Sequence, residues 1–333
     1  MEQLVELYQR SMGRDVATIT PINGCGAGGR RYYTITDVEG NKVFGIAGSN
    51  AEEDEAFYHL SRLFEKRGLQ TARVYGISDD KMFYLQEYLG TTTLHDMLMQ
   101  NRAGEEYNDC AVDILRRVMR ELPDIQFIAA GEDTYKHCYP VPSMDEMSIM
   151  FDLNYFKYCF VKLQNVEFNE VRLQHDFENL THEIMKDMSD TFLYRDFQAR
   201  NVMIYEGAPR YIDYQGGRRG PIFYDVASFV YDVPAKYNDQ LRRVLIDEYI
   251  TSLQRYLPIS HDEFIPRLKL HTLFRGLQVL GAFGFRGLWE KKQLFIDSIP
   301  QGLHDLTALL QDGVIDPYPE LKQIATSLIA KEK

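Results

Sequence analysis

The sequence predicts an α+β chain of two lobes, a small antiparallel-sheet lobe over 1–90 and a larger, mainly helical lobe over 91–333. Three observations predict it. Short β-like runs around a single helical stretch fill residues 16–90, and helical periodicities dominate the rest of the chain. One β-like island interrupts the helical half between 191 and 212.

The first lobe opens with Val16 to Ile22, a strand that runs into the glycine cluster Gly24-Cys25-Gly26-Ala27-Gly28-Gly29. Arg31 to Thr36 reads as the next strand, and Glu39-Gly40-Asn41 as the turn into Val43 to Ala47. Asn50 then caps a helix whose acidic first turn, Glu52 to Glu55, suits the positive end of the helix dipole. Phe57, Leu60 and Phe64 give this helix one apolar face, and Gly68 ends it. Two further strands, Arg73 to Ile77 and Met82 to Gln86, flank the Asp79-Asp80 turn. In the second lobe, Ala111, Leu115 and Met119 beside Ile114, Val118 and Leu122 predict a helix over 106–122. Leu173, Phe177, Leu180, Ile184 and Met188 predict another over 170–188. Three prolines in 123–143 predict an irregular connection there. The β-like island comprises 191–194, 202–205 and 210–212, and helices resume from Pro221.

Composition narrows the function classes. With 45% apolar residues over 333 positions, the chain has material for two cores. Its formal net charge of -12 repels phosphate backbones and anionic lipid, which argues against nucleic acid and membrane partners. The four cysteines, Cys25, Cys110, Cys138 and Cys159, show no metal-ligand spacing, and the eight histidines show none either. Unpaired thiols, a start without a secretion signal and the lack of a bilayer-length apolar run predict a cytoplasmic protein.

The chemistry concentrates in Tyr194-Arg195-Asp196-Phe197-Gln198-Ala199-Arg200-Asn201 and, a dozen residues on, Ile212-Asp213-Tyr214-Gln215-Gly216. Phosphoryl transfer needs one carboxylate to hold the accepting hydroxyl and take its proton. It also needs hard oxygen ligands for Mg²⁺, which keeps several waters and bridges phosphates. Asp196 suits the first role, and Asn201 with Asp213 suits the second. An amide beside a carboxylate binds the metal without stacking further negative charge against a triphosphate. Singly, each residue is an ordinary turn former. Together, with β-like flanks inside a helical half, they follow the Asp-x-x-x-x-Asn loop and strand-ending Asp of kinases.

These two runs, with Gly-Arg-Arg-Gly-Pro-Ile-Phe-Tyr-Asp-Val-Ala-Ser after them, resemble the aminoglycoside-phosphotransferase-like kinases. Within that group the chain is most similar to the anomeric sugar kinases that act on N-acetylmuramate or N-acetylglucosamine. Gly28 to Tyr33 and the Gly-Ala-Phe-Gly-Phe-Arg-Gly run at 281–287 carry the same likeness. The resemblance implies a bilobal protein-kinase-like fold and ATP, or another NTP, with Mg²⁺ as cofactors. It implies Asp196 as the catalytic base, Asn201 and Asp213 as metal ligands, and Asp225 as a residue steadying the catalytic loop.

Gly26, Gly28 and Gly29 would bring backbone amides to the phosphates, with Arg30 and Arg31 just behind. No Gly-Lys-Ser/Thr comes after them, so this is not a Walker A loop. A protein kinase carries a lysine inside its third strand, paired to a helix glutamate. Here that strand holds none, and Lys42 stands only at its start. Arg30 or Arg31 replaces the lysine, or amides and Mg²⁺ hold the phosphates alone; Glu55 is the candidate helix glutamate. Gln86, Glu87 and Tyr88 lie in the link between lobes, where a backbone reads adenine. Gln198, Arg200, Gln215 and Arg218 border the acceptor, and Arg275 and Arg286 lie on a glycine-rich helical stretch that can close over it. Amides and guanidinium groups suit sugar hydroxyls and anionic groups. The leading expectation is transfer of a γ-phosphate to a hydroxyl of a small molecule, an amino sugar or related sugar. A kinase of another small alcohol, an aminoglycoside or a choline-like molecule, is the alternative. The missing strand lysine keeps a nucleotide-binding pseudokinase with a regulatory role as a third reading. The sequence names no protein partner.

Overall fold

A computed structural model describes residues 1–22, 29–104 and 106–332. The first lobe is a five-stranded, wholly antiparallel sheet. Its strands are β1 (Val16–Ile22), β2 (Arg31–Asp37), β3 (Lys42–Ala47), β4 (Val74–Ile77) and β5 (Phe83–Glu87), in the order β1-β2-β3-β5-β4. The strand sequence and the helix between β3 and β4 follow the expected β-β-β-α-β-β order. One helix precedes it unannounced. Helix α1 (Glu2–Met12) buries Leu4, Leu7 and Tyr8 against Ile35, Val43 and Leu85 on the outer face of the sheet. That approach is close enough that a Cβ at Gly45 would lie 2.6 Å from Ile35 and 3.2 Å from Leu4.

Helix α2 (Ala51–Lys66) covers the opposite face. Asn50 Oδ1 accepts from the N–H groups of Glu52 and Glu53 at 3.0 and 3.3 Å, which fixes where the helix starts. Its buried stripe of Phe57, Leu60 and Phe64 touches both lobes. Phe57 stacks on Tyr214 with ring centroids 4.9 Å apart, and Phe64 meets Phe192 edge-on at 5.1 Å. The sheet and the β-like island therefore share one apolar core.

The second lobe is helical. Helix α3 (Leu94–Gln100) starts at a Thr93/Asp96 capping box, and α4 (Asp109–Ile128) runs straight through Pro123. The expected break at Pro123 does not occur. The helix continues because Ile125 and Gln126 are buried beyond it, and that packing offsets the roughly 3 kcal/mol an interior proline costs. Helices α5 (Glu146–Phe156), α6 (Glu170–Met185), α7 (Ile222–Val230), α8 (Asp239–Leu253), α9 (His261–Phe283), α10 (Ile299–Gln311) and α11 (Pro319–Glu332) complete the lobe. The β-like island is real: β6 (Phe192–Leu193) pairs with β9 (Arg218–Arg219), and β7 (Val202–Tyr205) pairs with β8 (Ala208–Tyr211). The glycines of the 276–287 stretch mostly mark close helix packing. A Cβ at Gly281 or Gly284 would meet the backbone of residues 155–160 at 3.0 Å or less. Among the described residues no helix is long and apolar enough to cross a membrane.

Candidate active site

The site forms where the β6–β7 loop and the end of β8 face the first lobe. Asp225, fully buried at the start of α7, anchors that loop. Its two carboxylate oxygens accept the N–H groups of Tyr194 and Arg195 at 2.8 and 2.9 Å. Gln126 Nε2 donates to the carbonyl of Ile222 at 3.0 Å and lies 3.4 Å from the same carboxylate. The Tyr249 hydroxyl in turn donates to Gln126 Oε1. Tyr194 stands where a protein kinase has histidine. It is buried, and its hydroxyl donates to the carbonyl of Ile212, which ties the loop to the Asp213 segment. Arg195 takes the left-handed region at φ 76°, and its Nη2 lies 3.0 and 3.2 Å from the carboxylate oxygens of Asp152. Held this way, the loop leaves the Asp196 carboxylate half-exposed toward the cleft, 3.5 Å from Arg275 Nη2.

Burial pushes the Asp225 carboxyl up to about 7, against the two backbone N–H groups that favour the charged form. A folded pKa above the unfolded value means that the native state holds a proton the unfolded chain has released. The contribution of Asp225 to stability is thus greatest below about pH 4 and is lost as pH rises through about 7. Chemical denaturation between about pH 5 and 8 is expected to show stability declining with pH, and Asp225→Asn is expected to flatten that slope.

Asn201 and Asp213 come together beside Asp196. Asn201 Nδ2 donates to the Asp196 carbonyl at 2.8 Å, which leaves its Oδ1 for a cation. Asp213 sits at φ 67°, and its Oδ1 accepts from Gln215 Nε2 at 2.8 Å. Enclosure between the lobes pushes the Asp213 carboxyl up, while Gln215 and Arg30 pull it down. One amide oxygen and one carboxylate fit Mg²⁺, a cation that fills its remaining positions with water and phosphate oxygens.

Arg30 reaches this pair from the first lobe. Its Nη1 lies 3.5 Å from Asp213 Oδ1, its Nε 3.2 Å from Asp54 Oδ1 and its Nη2 2.9 Å from Glu53 Oε1. Asp54 is fully buried, packed so tightly that a Cβ at Gly48 would fall 1.5 Å from its Oδ2. Burial raises the Asp54 carboxyl to about 6, with Arg30 opposing. The acids facing the cleft from α2 are therefore Glu53 and Asp54. Glu55 is not the helix partner. It turns to the surface, 2.6 Å from Lys81 Nζ and 3.6 Å from His59. The helix phase carried this signal, because Glu53 and Asp54 lie four and three residues before the buried Phe57. Arg31 is exposed, and Lys42 lies over the Tyr88 ring at 5.6 Å, away from the carboxylates.

Of the glycine cluster, Gly24, Gly26 and Gly28 fall outside the described residues, while Gly29 has φ 83° and packs on Ser49. In the link between lobes, Gln86 is buried within β5. Glu87 is bound to Arg210 at 2.6 Å, and Tyr88 packs on Phe44 at 4.8 Å. The side chains of Glu87 and Tyr88 are thus engaged by protein, and the N–H of Glu87 donates to the carbonyl of Arg73 at 2.9 Å.

A cleft of about 170 Å³ opens at Asp196, between α7, α9 and α10, and is the candidate acceptor site. Gln198, Arg200 and Arg275 line it, but Gln215 and Arg218 do not. Gln215 instead bonds Asp213 and, at 3.3 Å, Glu53. Arg218 is buried with its guanidinium on the Gly216 carbonyl, and burial together with nearby Arg195 lowers it to about 10. Arg286 pairs with Glu290 at 3.2 Å. Sequence reasoning gave no cleft role to Ser228, Asp232 or Asp305: Ser228 ends the run that carries the family resemblance, and Asp232 and Asp305 belong to no motif, yet all three line the cleft.

Comparison with known proteins gives the family. Residues 18–259 match the model of the phosphotransferase enzyme family APH. The chain is 24% identical over 285 residues to an N-acetylmuramate/N-acetylglucosamine kinase of Neisseria meningitidis, covering 83% of this chain and 81% of that protein. It is 22% identical over 306 residues to a kinase of the same name from Pseudomonas aeruginosa, covering 90% and 84%. Its fold is similar to a Plasmodium vivax ethanolamine kinase (TM-score 0.60, 12% identity, 88% of this chain and 81% of that one). It is likewise similar to the ADP-bound aminoglycoside phosphotransferase APH(2'')-Ib (TM-score 0.58, 12% identity, 90% and 97%). With most of its length matched and two carboxylates and an amide gathered in one cleft, the chain belongs to the phosphotransferase enzyme family and is a small-molecule kinase.

Proposed function

We propose that the protein transfers the γ-phosphate of ATP, with Mg²⁺, to a hydroxyl of an amino sugar or related sugar. The observation that carries this reading is the convergence of Asp196, Asn201 and Asp213 opposite Arg30, Glu53 and Asp54. Asp196 takes the proton of the accepting hydroxyl as the new O–P bond forms and the bond from the γ-phosphorus to the β-phosphate oxygen breaks, releasing ADP, and Arg275 at 3.5 Å holds that carboxylate toward the acceptor. Asn201 Oδ1 and the Asp213 carboxylate would hold the metal, which would neutralise charge on the phosphates. Arg30 spans the lobes and fixes the distance between them. The sugar assignment is supported by the names of the two bacterial relatives and by a cleft that mixes carboxylates with guanidinium groups.

The test is incubation with ATP, Mg²⁺ and a panel of sugars and amino alcohols, with products read by phosphorus NMR. A sugar phosphate is expected, and the spectrum also gives the position phosphorylated. Phosphocholine or a phosphorylated aminoglycoside as the sole product overturns the sugar assignment. Thermal stabilisation by nucleotide without turnover of any acceptor favours the pseudokinase instead.

A further inference from the structure

The acceptor cleft holds polar atoms that the fold leaves unused. Ser228 Oγ, Asp232 Oδ1, Arg275 Nε and Asp305 Oδ2 are buried and have no hydrogen-bond partner among the described residues. Their side chains belong to residues only 2–8% exposed, and all four line the cleft that opens at Asp196. A buried polar atom left unpaired costs about 1–3 kcal/mol, so these four call for polar partners from within the cleft, supplied by a bound molecule or by water.

The two carboxylates share a design. Asp232 holds the backbone N–H of Ala199 on Oδ2 at 3.2 Å and keeps Oδ1 free. Asp305 holds Arg242 Nη2 on Oδ1 at 2.9 Å and keeps Oδ2 free. Gln301 and His304 also approach Asp305 Oδ1, at 3.4 and 3.8 Å, so that oxygen is committed to protein. Arg242 is itself seated over the Tyr231 ring at 4.6 Å. In each case one oxygen fixes the residue and the other has no protein partner, which leaves it an acceptor in a residue that lines the cleft.

Charge decides what such acceptors read. Asp196, Asp232 and Asp305 are matched by Arg200 and Arg275 in the lining and by Arg242 immediately behind it. Arg242 is shared with Asp239 at 3.6 Å, so the cleft carries a small excess of negative charge, a weak attraction to a cation beside its many neutral hydrogen-bonding groups. Val279, Phe283, Leu306 and Leu309 supply an apolar wall. The volume of about 170 Å³ lies below the roughly 300–1,000 Å³ of drug-sized sites and suits a small acceptor.

We infer that Ser228, Asp232 and Asp305 are specificity-determining residues that read the hydroxyl or amide N–H groups of a small, uncharged, polyhydroxylated acceptor. This rests on the sugar-kinase reading and deepens it. Asp232 and Ser228 engage the acceptor within the cleft, Asp305 does so from α10, and Arg242 acts on the acceptor only by positioning Asp305.

The experiment measures acceptor and ATP kinetics with N-acetylglucosamine and with choline as probes, for the native protein, Ser228→Ala and Asp305→Asn. The asparagine can keep an oxygen toward Arg242 while an N–H replaces the free oxygen, which reverses its hydrogen-bonding sense. Each variant is expected to raise the KM for N-acetylglucosamine about tenfold, with the KM for ATP changed less than about twofold. Ser228→Ala removes an unpaired buried hydroxyl, so its melting temperature is expected to equal or exceed that of the native protein. A merely structural role predicts the reverse: lower melting temperature and a parallel change in both KM values. If Asp305→Asn fails to fold, Ser228→Ala decides alone. A native protein that phosphorylates N-acetylglucosamine while the variants keep its KM overturns this inference and leaves the sugar reading standing. A native protein that phosphorylates choline but no sugar overturns both.

Discussion

Asp196→Asn is expected to lower kcat about 10³-fold while leaving nucleotide binding intact. A positioned general base contributes roughly 10²–10⁴-fold, and asparagine keeps the shape while losing the proton acceptor. The loop itself does not depend on this side chain. Its backbone is held by Asp225 and by Tyr194, and the Asn201 amide bonds the Asp196 carbonyl rather than its carboxylate. The measurement is a paired one: turnover by a coupled assay, and the shift in melting temperature on adding ATP and Mg²⁺. Loss of turnover with the shift retained is the expected result. A variant with near-native kcat removes Asp196 from the chemistry.

Arg30→Ala is expected to have the second largest effect, by raising the KM for ATP at least about tenfold and lowering stability by about 3 kcal/mol. Arg30 is the cation that Asp54, fully buried, faces, and removing one partner of a buried pair leaves the other charge uncompensated. It also reaches Asp213 across the cleft, so its loss loosens the alignment of the lobes. Arg31→Ala is the control. That side chain is exposed and its removal is expected to change stability by less than about 0.5 kcal/mol. Urea unfolding and ATP kinetics on both variants distinguish them, and equal effects would remove Arg30 from the role its geometry gives it.

The contrast between these two arginines shows where the sequence stopped. Asp196, Asn201 and Asp213 were legible because they lie within one short segment, where chain connectivity alone limits how far apart they can be. Helix α2 was legible because its Asn50 cap, acidic turn and apolar stripe are all local signals. Neither advantage extends across the cleft. Glu55 is one residue along the helix from Asp54, about 100° around it, and the packing of Phe57 on Tyr214 decides which acid faces in. Pro123 is a local signal to stop, overruled by the burial of Gln126 beneath Asp225.

By itself, then, the sequence determined the two-lobed α+β architecture, the candidate base and metal-holding oxygens, and the class of chemistry. Those depend on short-range periodicity and on spacing within one segment. The tertiary structure alone decided that Arg30 rather than Arg31 or Lys42 meets the carboxylates, and that Ser228, Asp232 and Asp305 line one cleft beside Asp196. Those residues are brought together by packing between elements far apart in the chain, and no local pattern records a contact whose partners the chain meets only after it folds.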